Sequence, residues 1–303
     1  MISTGEPAAI AILTAMAADP IAHDPPGLDA LRARIDRTLG SFLAGVRAEM
    51  AVRAPEALLP IDEVIRLVEV GGKRLRPVFC YWGYRAAGGV DGEPIERAAA
   101  ALELLHTMAL IHDDLMDRSA ERRGAPASAI QLAEQAGRRG SSDAERAGAS
   151  LALVAGDLAA VLADRLLLEA GFPPDRLIGA LDRYHRMRID MALGQSLDVA
   201  GGDSDRATAA ALRGGSYTVD GPLSIGAALA GADRDVTAAL AAYGAPLGLA
   251  FQLLDDERDG DVTLDSGQVV TLVTQARAGL DTPGLDPEAV RALSSMADLV
   301  AAG

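Results

Sequence analysis

Apolar residues at helical spacing restrict the fold of this 303-residue chain more than any other feature. Between Leu28 and Met50 they recur every three or four residues, which places them on one face of an α-helix. Only residues 269–273 offer a short candidate strand. Half of the residues are hydrophobic and 3% are aromatic, a composition typical of closely packed helices. The sequence therefore predicts an all-α fold.

Proline, glycine and capping patterns mark the predicted helix boundaries. Ser142 and Glu145 form a capping-box pattern ahead of one apolar run, and Gly171 follows that run. The predicted helices cover residues 28–50, 60–70, 76–87, 93–118, 151–168, 174–197, 219–232, 235–258 and a last segment from 286 onward.

No repeat, linker or change in composition divides the chain, so residues 24–303 are predicted to form a single domain. Residues 1–23 are interpreted as a poorly ordered N-terminal extension, because their apolar stretch lacks the basic flank of a signal peptide. The uncharged run 236–254 is long enough to span a membrane. It contains Gly244 and Pro246 and leads directly into five charged residues, which favours a buried bundle helix over a transmembrane segment.

Charge and cysteine content restrict partners and location. The chain has 43 Asp and Glu against 28 Lys and Arg, a net charge of -15, so its surface as a whole would repel a nucleic-acid backbone. The single cysteine, Cys80, cannot form a disulfide within the chain. We therefore expect a cytoplasmic protein that does not bind nucleic acid.

Two acidic clusters with the spacing Asp-Asp-x-x-Asp follow apolar runs near predicted helix ends. Carboxylates there repel one another and oppose the helix dipole, so a cation should compensate them. Oxygen ligands of this kind suit Mg²⁺, with water and phosphate completing its coordination. A single cluster is equally well explained as a solvated acidic patch, whereas two matching clusters favour a metal site. The clusters are Asp113, Asp114 and Asp117, and Asp255, Asp256 and Asp259.

Basic motifs form the second set of candidates. The turn Gly71-Gly72-Lys73-Arg74-Leu75-Arg76-Pro77 combines glycines that let an anion approach the backbone with three cations, which suits a diphosphate. The alternative is a helix C-cap with favourable charge. His106 lies two turns before the first acidic cluster, where a hydrogen-bonded core histidine is the alternative interpretation.

These motifs, in this order, resemble those of the trans-isoprenyl diphosphate synthases, or polyprenyl synthetases. The resemblance covers most of the chain from about residue 28. It implies an isoprenoid-synthase-like bundle around a central cavity, usually a homodimer, in which Mg²⁺ supports condensation of isopentenyl diphosphate with an allylic diphosphate. Further matching segments are residues 105–117, Arg122-Arg123-Gly124, Gly194-Gln195 with Asp198, Tyr217-Thr218-Val219 and residues 251–256.

The resemblance also implies roles for single residues. Asp113, Asp117 and Asp255 would bind Mg²⁺, and the other three aspartates would support them. Arg122 would contact the allylic diphosphate, while Gln195 and Arg213 correspond to catalytic positions. Isopentenyl diphosphate would be held by Lys73, Arg76, His106 and Arg123. The growing prenyl tail would pass Leu105, Met108 and Ala109, and the absence of an aromatic floor there implies a product of about C20.

Two departures from the family pattern leave alternatives open. Arg213-Gly214 stands where the family usually has Lys-Thr, and the segment after Asp259 is short and lacks lysine. The chain is therefore an active elongating synthase or a weakly active or non-catalytic subunit of a heteromeric synthase. A class I terpene cyclase is a third alternative, although such a cyclase would not need the residues for isopentenyl diphosphate.

Overall fold

The computed structural model describes residues 27–200, 208, 211–259, 264 and 266–302. This part is almost entirely helical, which confirms the all-α fold predicted from the sequence. The predicted N-terminal extension, residues 1–23, lies outside the described residues. The α-helices are α1 (Leu28–Arg53), α2 (Leu59–Glu69), α3 (Leu75–Ala86), α4 (Glu93–Met116), α5 (Ser128–Arg138), α6 (Ala144–Leu168), α7 (Pro174–Ala200), α8 (Gly221–Ala230), α9 (Arg234–Asp259), α10 (Ser266–Gly279) and α11 (Pro287–Ala302).

The other described elements are a 3₁₀ turn, a π-helical segment and two short strands. Pro55–Ala57 forms a 3₁₀ turn after α1, and Ala211–Asp220 forms a π-helical segment that leads directly into α8. Strands β1 (Glu121–Arg122) and β2 (Ala125–Pro126) form an antiparallel hairpin in which Glu121 pairs with Pro126. The hairpin follows α4, so it holds Arg122 and Arg123 beside the first acidic cluster.

Helix α4 is the central element of the core. Its alanines from Ala98 to Ala101 are fully buried, because neighbouring helices surround them on every side. The helix packs against α1, α3 and α6 and ends at the first acidic cluster. That cluster is consequently attached to a rigid support.

Close packing of α3 against α8 brings the basic turn before α3 next to the π-helical segment before α8. A β-carbon at Gly83 would overlap the carbonyl of Leu223, and one at Gly226 would overlap the carbonyl of Cys80. The two backbones can approach only because both positions are glycine. Arg76 at the start of α3 thereby lies next to the π-helical segment that precedes α8.

The structure corrects several details of the sequence analysis. The N-cap of α6 is Asp143, whose side chain accepts a hydrogen bond from the Arg146 amide at 3.2 Å, so Ser142 is not the cap. Residues 269–273 lie within helix α10, where Val269 and Val273 are buried at helical spacing. Helix α5 and the β1–β2 hairpin were not predicted: α5 is only 11 residues long and buries only Ser128, Leu132 and Ala136, and each strand is two residues long.

Helix α9 contains the apolar run that resembles a membrane span. On length and composition alone, Arg234–Arg258 could cross a membrane. In the fold, Val236, Leu240 and Leu247 are buried, and the Tyr243 hydroxyl donates a hydrogen bond to the Leu293 carbonyl at 2.7 Å. The helix packs against α10 and the π-helical segment. This burial accounts for its apolar sequence as that of a bundle helix.

Candidate active site

A cleft of about 850 Å³ lies between α4, α7, α9 and the π-helical segment. Its wall is polar where α4 and α9 end and more apolar farther along α4 and α7. A second, apolar groove of about 720 Å³ beside α5 and α6 contains none of the predicted site residues. The predicted residues that line the main cleft are Arg76, His106, Met108, Ala109, Asp113, Arg122, Gln195 and Asp255.

Each acidic cluster contributes one described side chain to the wall of this cleft. Asp113 in the last turn of α4 and Asp255 in the last turn of α9 both line its wall. Asp117 is exposed and caps α4, with its amide donating to the Asp113 carbonyl at 2.9 Å. Asp256 accepts a hydrogen bond from the Gln252 amide at 2.5 Å. The backbone of α9 ends at Asp259, whose side chain lies outside the described part.

Asp114 is buried and does not line the cleft. One of its oxygens, Oδ1, accepts a hydrogen bond from Arg122 Nε at 2.9 Å. The other, Oδ2, is buried without a hydrogen-bond partner among the described residues. Asp114 therefore holds Arg122 in position at the edge of the cleft.

The carboxylates fit a magnesium site that needs oxygens from a ligand. In the described part of the chain, no three acidic, histidine or cysteine side chains are close enough to hold a metal ion by themselves. The cleft offers carboxylate oxygens from two walls, and Mg²⁺ prefers oxygen ligands and often takes only one or two carboxylates. The donor set thus suits Mg²⁺ together with phosphate oxygens.

Arg74 fixes the basic turn from within the core. Its buried guanidinium contacts Glu103 at 2.6 Å, Asp36 at 2.8 Å and the Val68 carbonyl at 2.6 Å. No role for Glu103 or Asp36 was predicted. A charged residue within the apolar run of α4 was the available signal, because a buried carboxylate needs a partner. Arg74 therefore has a structural role rather than facing the cleft.

Several cations converge near the turn. Arg123 donates a hydrogen bond to the Gly71 carbonyl, and Lys73 is exposed. Arg74 and Arg123 have φ of 51° and 55°, a region that residues other than glycine rarely adopt. Burial and the nearby Arg74 guanidinium lower the pKa of Arg123. A bound anion would relieve this concentration of positive charge.

His106 and Arg76 form the inner part of the basic wall. Arg76 Nη2 donates to the Thr218 hydroxyl at 2.9 Å, and its guanidinium lies 4.4 Å from the centre of the Tyr217 ring. Burial, followed by the charge of Arg76, lowers the pKa of His106 well below its usual value. His106 is consequently neutral at physiological pH, and its Nδ1 is buried without a partner among the described residues.

Of the three residues predicted to line the path of the prenyl tail, only two lie on the cleft wall. Met108 and Ala109 line it, together with Met191 from α7 and Phe251 from α9. Leu105 is fully buried in the core and is absent from the cleft wall. It lies four residues before Ala109, but it packs between helices instead of facing the cavity.

The family model for polyprenyl synthetases matches residues 61–265, which is more than half of the chain. This chain belongs to the polyprenyl synthetase family. The geranylgeranyl diphosphate synthase of Methanosarcina mazei is 32% identical over 221 residues, covering 71% of this chain and 63% of that protein. The geranylgeranyl diphosphate synthase of Sulfolobus acidocaldarius is 34% identical over 200 residues, covering 61% and 54%.

A farnesyl diphosphate synthase of Mycobacterium tuberculosis is 35% identical over 199 residues, covering 61% of this chain and 48% of that protein. The chain therefore matches about half to two thirds of the length of these curated relatives. The matched region includes both acidic clusters and the basic turn.

Solved structures share the fold. A geranylgeranyl pyrophosphate synthase from Corynebacterium glutamicum, complexed with isoprenyl diphosphate and magnesium, superposes with a TM-score of 0.82 at 24% identity. The alignment covers 90% of this chain and 99% of that one. A synthase from Zymomonas mobilis gives a TM-score of 0.74 at 24% identity, covering 97% and 99%. These likenesses show that this chain has the isoprenoid-synthase-like bundle fold.

Some site residues lie at the border of the described part. Arg213 and Gly214 belong to the backbone of the π-helical segment, but the Arg213 side chain lies outside the described part. Of the predicted short segment after Asp259, residues 260–263 and 265 are also outside it. Gln195 lies on the cleft wall, and its amide contacts Met116 Sδ at 3.7 Å.

Proposed function

We propose that this protein condenses isopentenyl diphosphate with an allylic diphosphate in a Mg²⁺-dependent, head-to-tail chain elongation. One observation supports this proposal above all: a single cleft has acidic side chains on two walls, a separate basic wall and an apolar part beyond them. Two diphosphates would then bind at different sites, with their hydrocarbon parts together in the apolar region. The names of the relatives are consistent with this activity.

The acidic walls would hold Mg²⁺ through Asp113, Asp117 and Asp255, with Asp114, Asp256 and Asp259 in support. When bound, Mg²⁺ would neutralise the charge that develops on the departing allylic diphosphate. Arg122, which Asp114 holds in position, would contact the same diphosphate. Gln195 and Arg213 would complete this side of the site.

The basic wall would bind isopentenyl diphosphate through Lys73, Arg76, His106 and Arg123. Neutral His106 can donate one hydrogen bond to a phosphate oxygen, while the guanidinium groups supply the charge. The apolar part of the cleft would exclude water from the allylic cation until the isopentenyl double bond attacks it.

We expect Lys73→Ala and Arg76→Ala to raise the KM for isopentenyl diphosphate at least about tenfold, because each removes a charge-assisted hydrogen bond worth about 1.5 to 3 kcal/mol. The KM for the allylic substrate should change less. Steady-state kinetics with each substrate varied in turn measures both effects. Arg37→Ala, at an exposed position of α1, is the matched control. A larger rise for the allylic substrate would mean that the two subsites are exchanged.

We also propose a homodimer in which α6 contributes to the interface. Val154, Val161 and Leu168 are exposed by 51%, 61% and 53% and lie seven residues apart, so they form one apolar stripe along the helix. Such a stripe is typical of a surface covered by a partner. Sedimentation velocity should give about twice the chain mass of 31.2 kDa, and a monomer would contradict the proposal.

A cytoplasmic location of the protein stays a prediction.

The product is proposed to be about C20, because flexible Met108 and small Ala109 leave room where an aromatic side chain would block the tail. Relatives that make geranylgeranyl, farnesyl and geranylfarnesyl diphosphates bracket this length.

A further inference from the structure

A positively charged side chain lies in the cleft wall where a hydrocarbon tail would be expected. Helix α7 contributes residues at helical spacing from Arg188 to Ala200, and Arg188 is the first of them. Its nearest neighbours along that wall, Met191 and Ala192, are apolar. Arg188 thus marks the end of the cleft on α7 that is farthest from Gln195.

Two neighbours fix the guanidinium of Arg188. Its Nη1 donates to Asp164 Oδ1 at 2.8 Å, and the Tyr184 hydroxyl donates to the same oxygen at 2.8 Å. The guanidinium also lies 5.2 Å from the centre of the Tyr184 ring. Tyr184 is fully buried, whereas the side chains of Arg188 and Asp164 are 28% and 40% exposed, so Tyr184 attaches the cluster to the core.

The register of α6 against α4 shows how far Asp164 lies from the end of α4 that carries the first acidic cluster. The two helices are antiparallel, because Gly156 lies against His112 while Glu169, just after α6, contacts Arg97 at 3.7 Å. Asp164 is eight residues beyond Gly156, about 12 Å along the helix. It therefore lies near the level of residues 102–104 of α4. This level is about one helical turn farther than Met108 from the acidic end of α4.

The register of α7 places the backbone of Arg188 nearer than Asp164 to the acidic end of α4. Gln195 contacts Met116 at the end of α4 that carries the first acidic cluster. Arg188 is seven residues earlier, about 10 Å away from that end, so its backbone is level with Ala109. The guanidinium of Arg188 therefore extends from the level of Ala109 towards Asp164, away from the end of α4 that carries the first acidic cluster.

We infer that the cluster of Arg188, Asp164 and Tyr184 closes the tail end of the cavity and limits product length. A growing hydrocarbon chain can displace a flexible methionine, but it cannot replace the hydrogen bonds and ion pair of a guanidinium. The inference rests on the proposed chain elongation and adds residues from α6 and α7 that determine specificity.

Product analysis with labelled isopentenyl diphosphate and Mg²⁺ tests the inference. Arg188→Ala and Arg188→Met should lengthen the main product by at least one isoprene unit, whereas Arg188→Lys should keep the wild-type length. Arg186→Ala is the matched control, since Arg186 pairs with Asp182 on the exposed side of the same helix. Unchanged products in both Arg188→Ala and Arg188→Met would overturn the inference.

Ala109→Phe and Met108→Phe should shorten the product, because they block the tail before it reaches the cluster. If they do so while the Arg188 variants change nothing, the tail follows α4 but does not end at Arg188. If neither phenylalanine variant shifts the products, the tail does not pass this face of α4 and the inference fails.

A binding experiment separates this inference from the proposed catalysis. Calorimetry with unreactive C15, C20 and C25 prenyl thiolodiphosphates should show that wild-type affinity falls at least tenfold at the length that reaches the cluster. In Arg188→Met the fall should be less than threefold. This result would stand even if the wild type made no product, whereas equal profiles for the two proteins would overturn the inference.

Discussion

Asp113→Ala and Asp255→Ala are each expected to lower turnover at least about a hundredfold, which corresponds to about 2.7 kcal/mol of transition-state stabilisation. The two side chains lie on opposite walls of one cleft, where the negative charge of a departing diphosphate would develop. Removing either carboxylate would weaken the site proposed for Mg²⁺. Initial rates measured across a range of Mg²⁺ concentrations would record both the loss of turnover and any increase in the metal concentration required.

The exposed Asp281, in the segment between α10 and α11, provides the control. Asp281→Ala should retain wild-type turnover, and a chelator should abolish the activity of both proteins. If Asp113→Ala or Asp255→Ala turned over like the wild type, the assignment of these carboxylates to the metal would be wrong.

Arg74→Met should lower the free energy of unfolding by about 3 to 5 kcal/mol, because it leaves Glu103 as an unpaired charge in the core. The side chains of both residues are only 4% exposed, and they are 2.6 Å apart. The substitution also removes the hydrogen bond to the Val68 carbonyl. Urea unfolding followed by far-UV circular dichroism measures the change.

Two further variants test the cause of that loss. Arg74→Met combined with Glu103→Met should be more stable than Arg74→Met alone, because no unpaired charge remains in the core. Arg47→Ala removes an arginine from a largely exposed pair with Asp62 and should cost less than about 1 kcal/mol. A double variant as unstable as Arg74→Met would show that the buried charge is not the cause.

The sequence predicted those parts of the fold that local patterns determine. Apolar spacing located the helix that begins at Leu28, and Pro287 marked the start of α11. Residues 269–273 were misread because a short apolar run has no clear period of its own. Their helix is evident only when Ala276, three residues after Val273, is added to the buried face.

The candidate site was predictable where its residues occur in motifs, as with Asp113, Asp255 and His106. The contacts around them were not, since they join distant segments of the chain. Arg188 meets Asp164 across two helices, and Glu103 meets Arg74 through the core. Leu105 was assigned to the cavity because its spacing alone could not distinguish the cleft face of α4 from the core face.

Incubation of the purified chain alone with Mg²⁺, labelled isopentenyl diphosphate and each short allylic diphosphate tests the proposed function most directly. We expect allylic diphosphate products longer than the primer, mainly about C20, and none when a chelator is present. The absence of any elongated product under all these conditions, from protein that is folded by circular dichroism, would contradict the proposed activity. The chain would then fit a non-catalytic subunit with Arg213-Gly214 in place of the usual Lys-Thr.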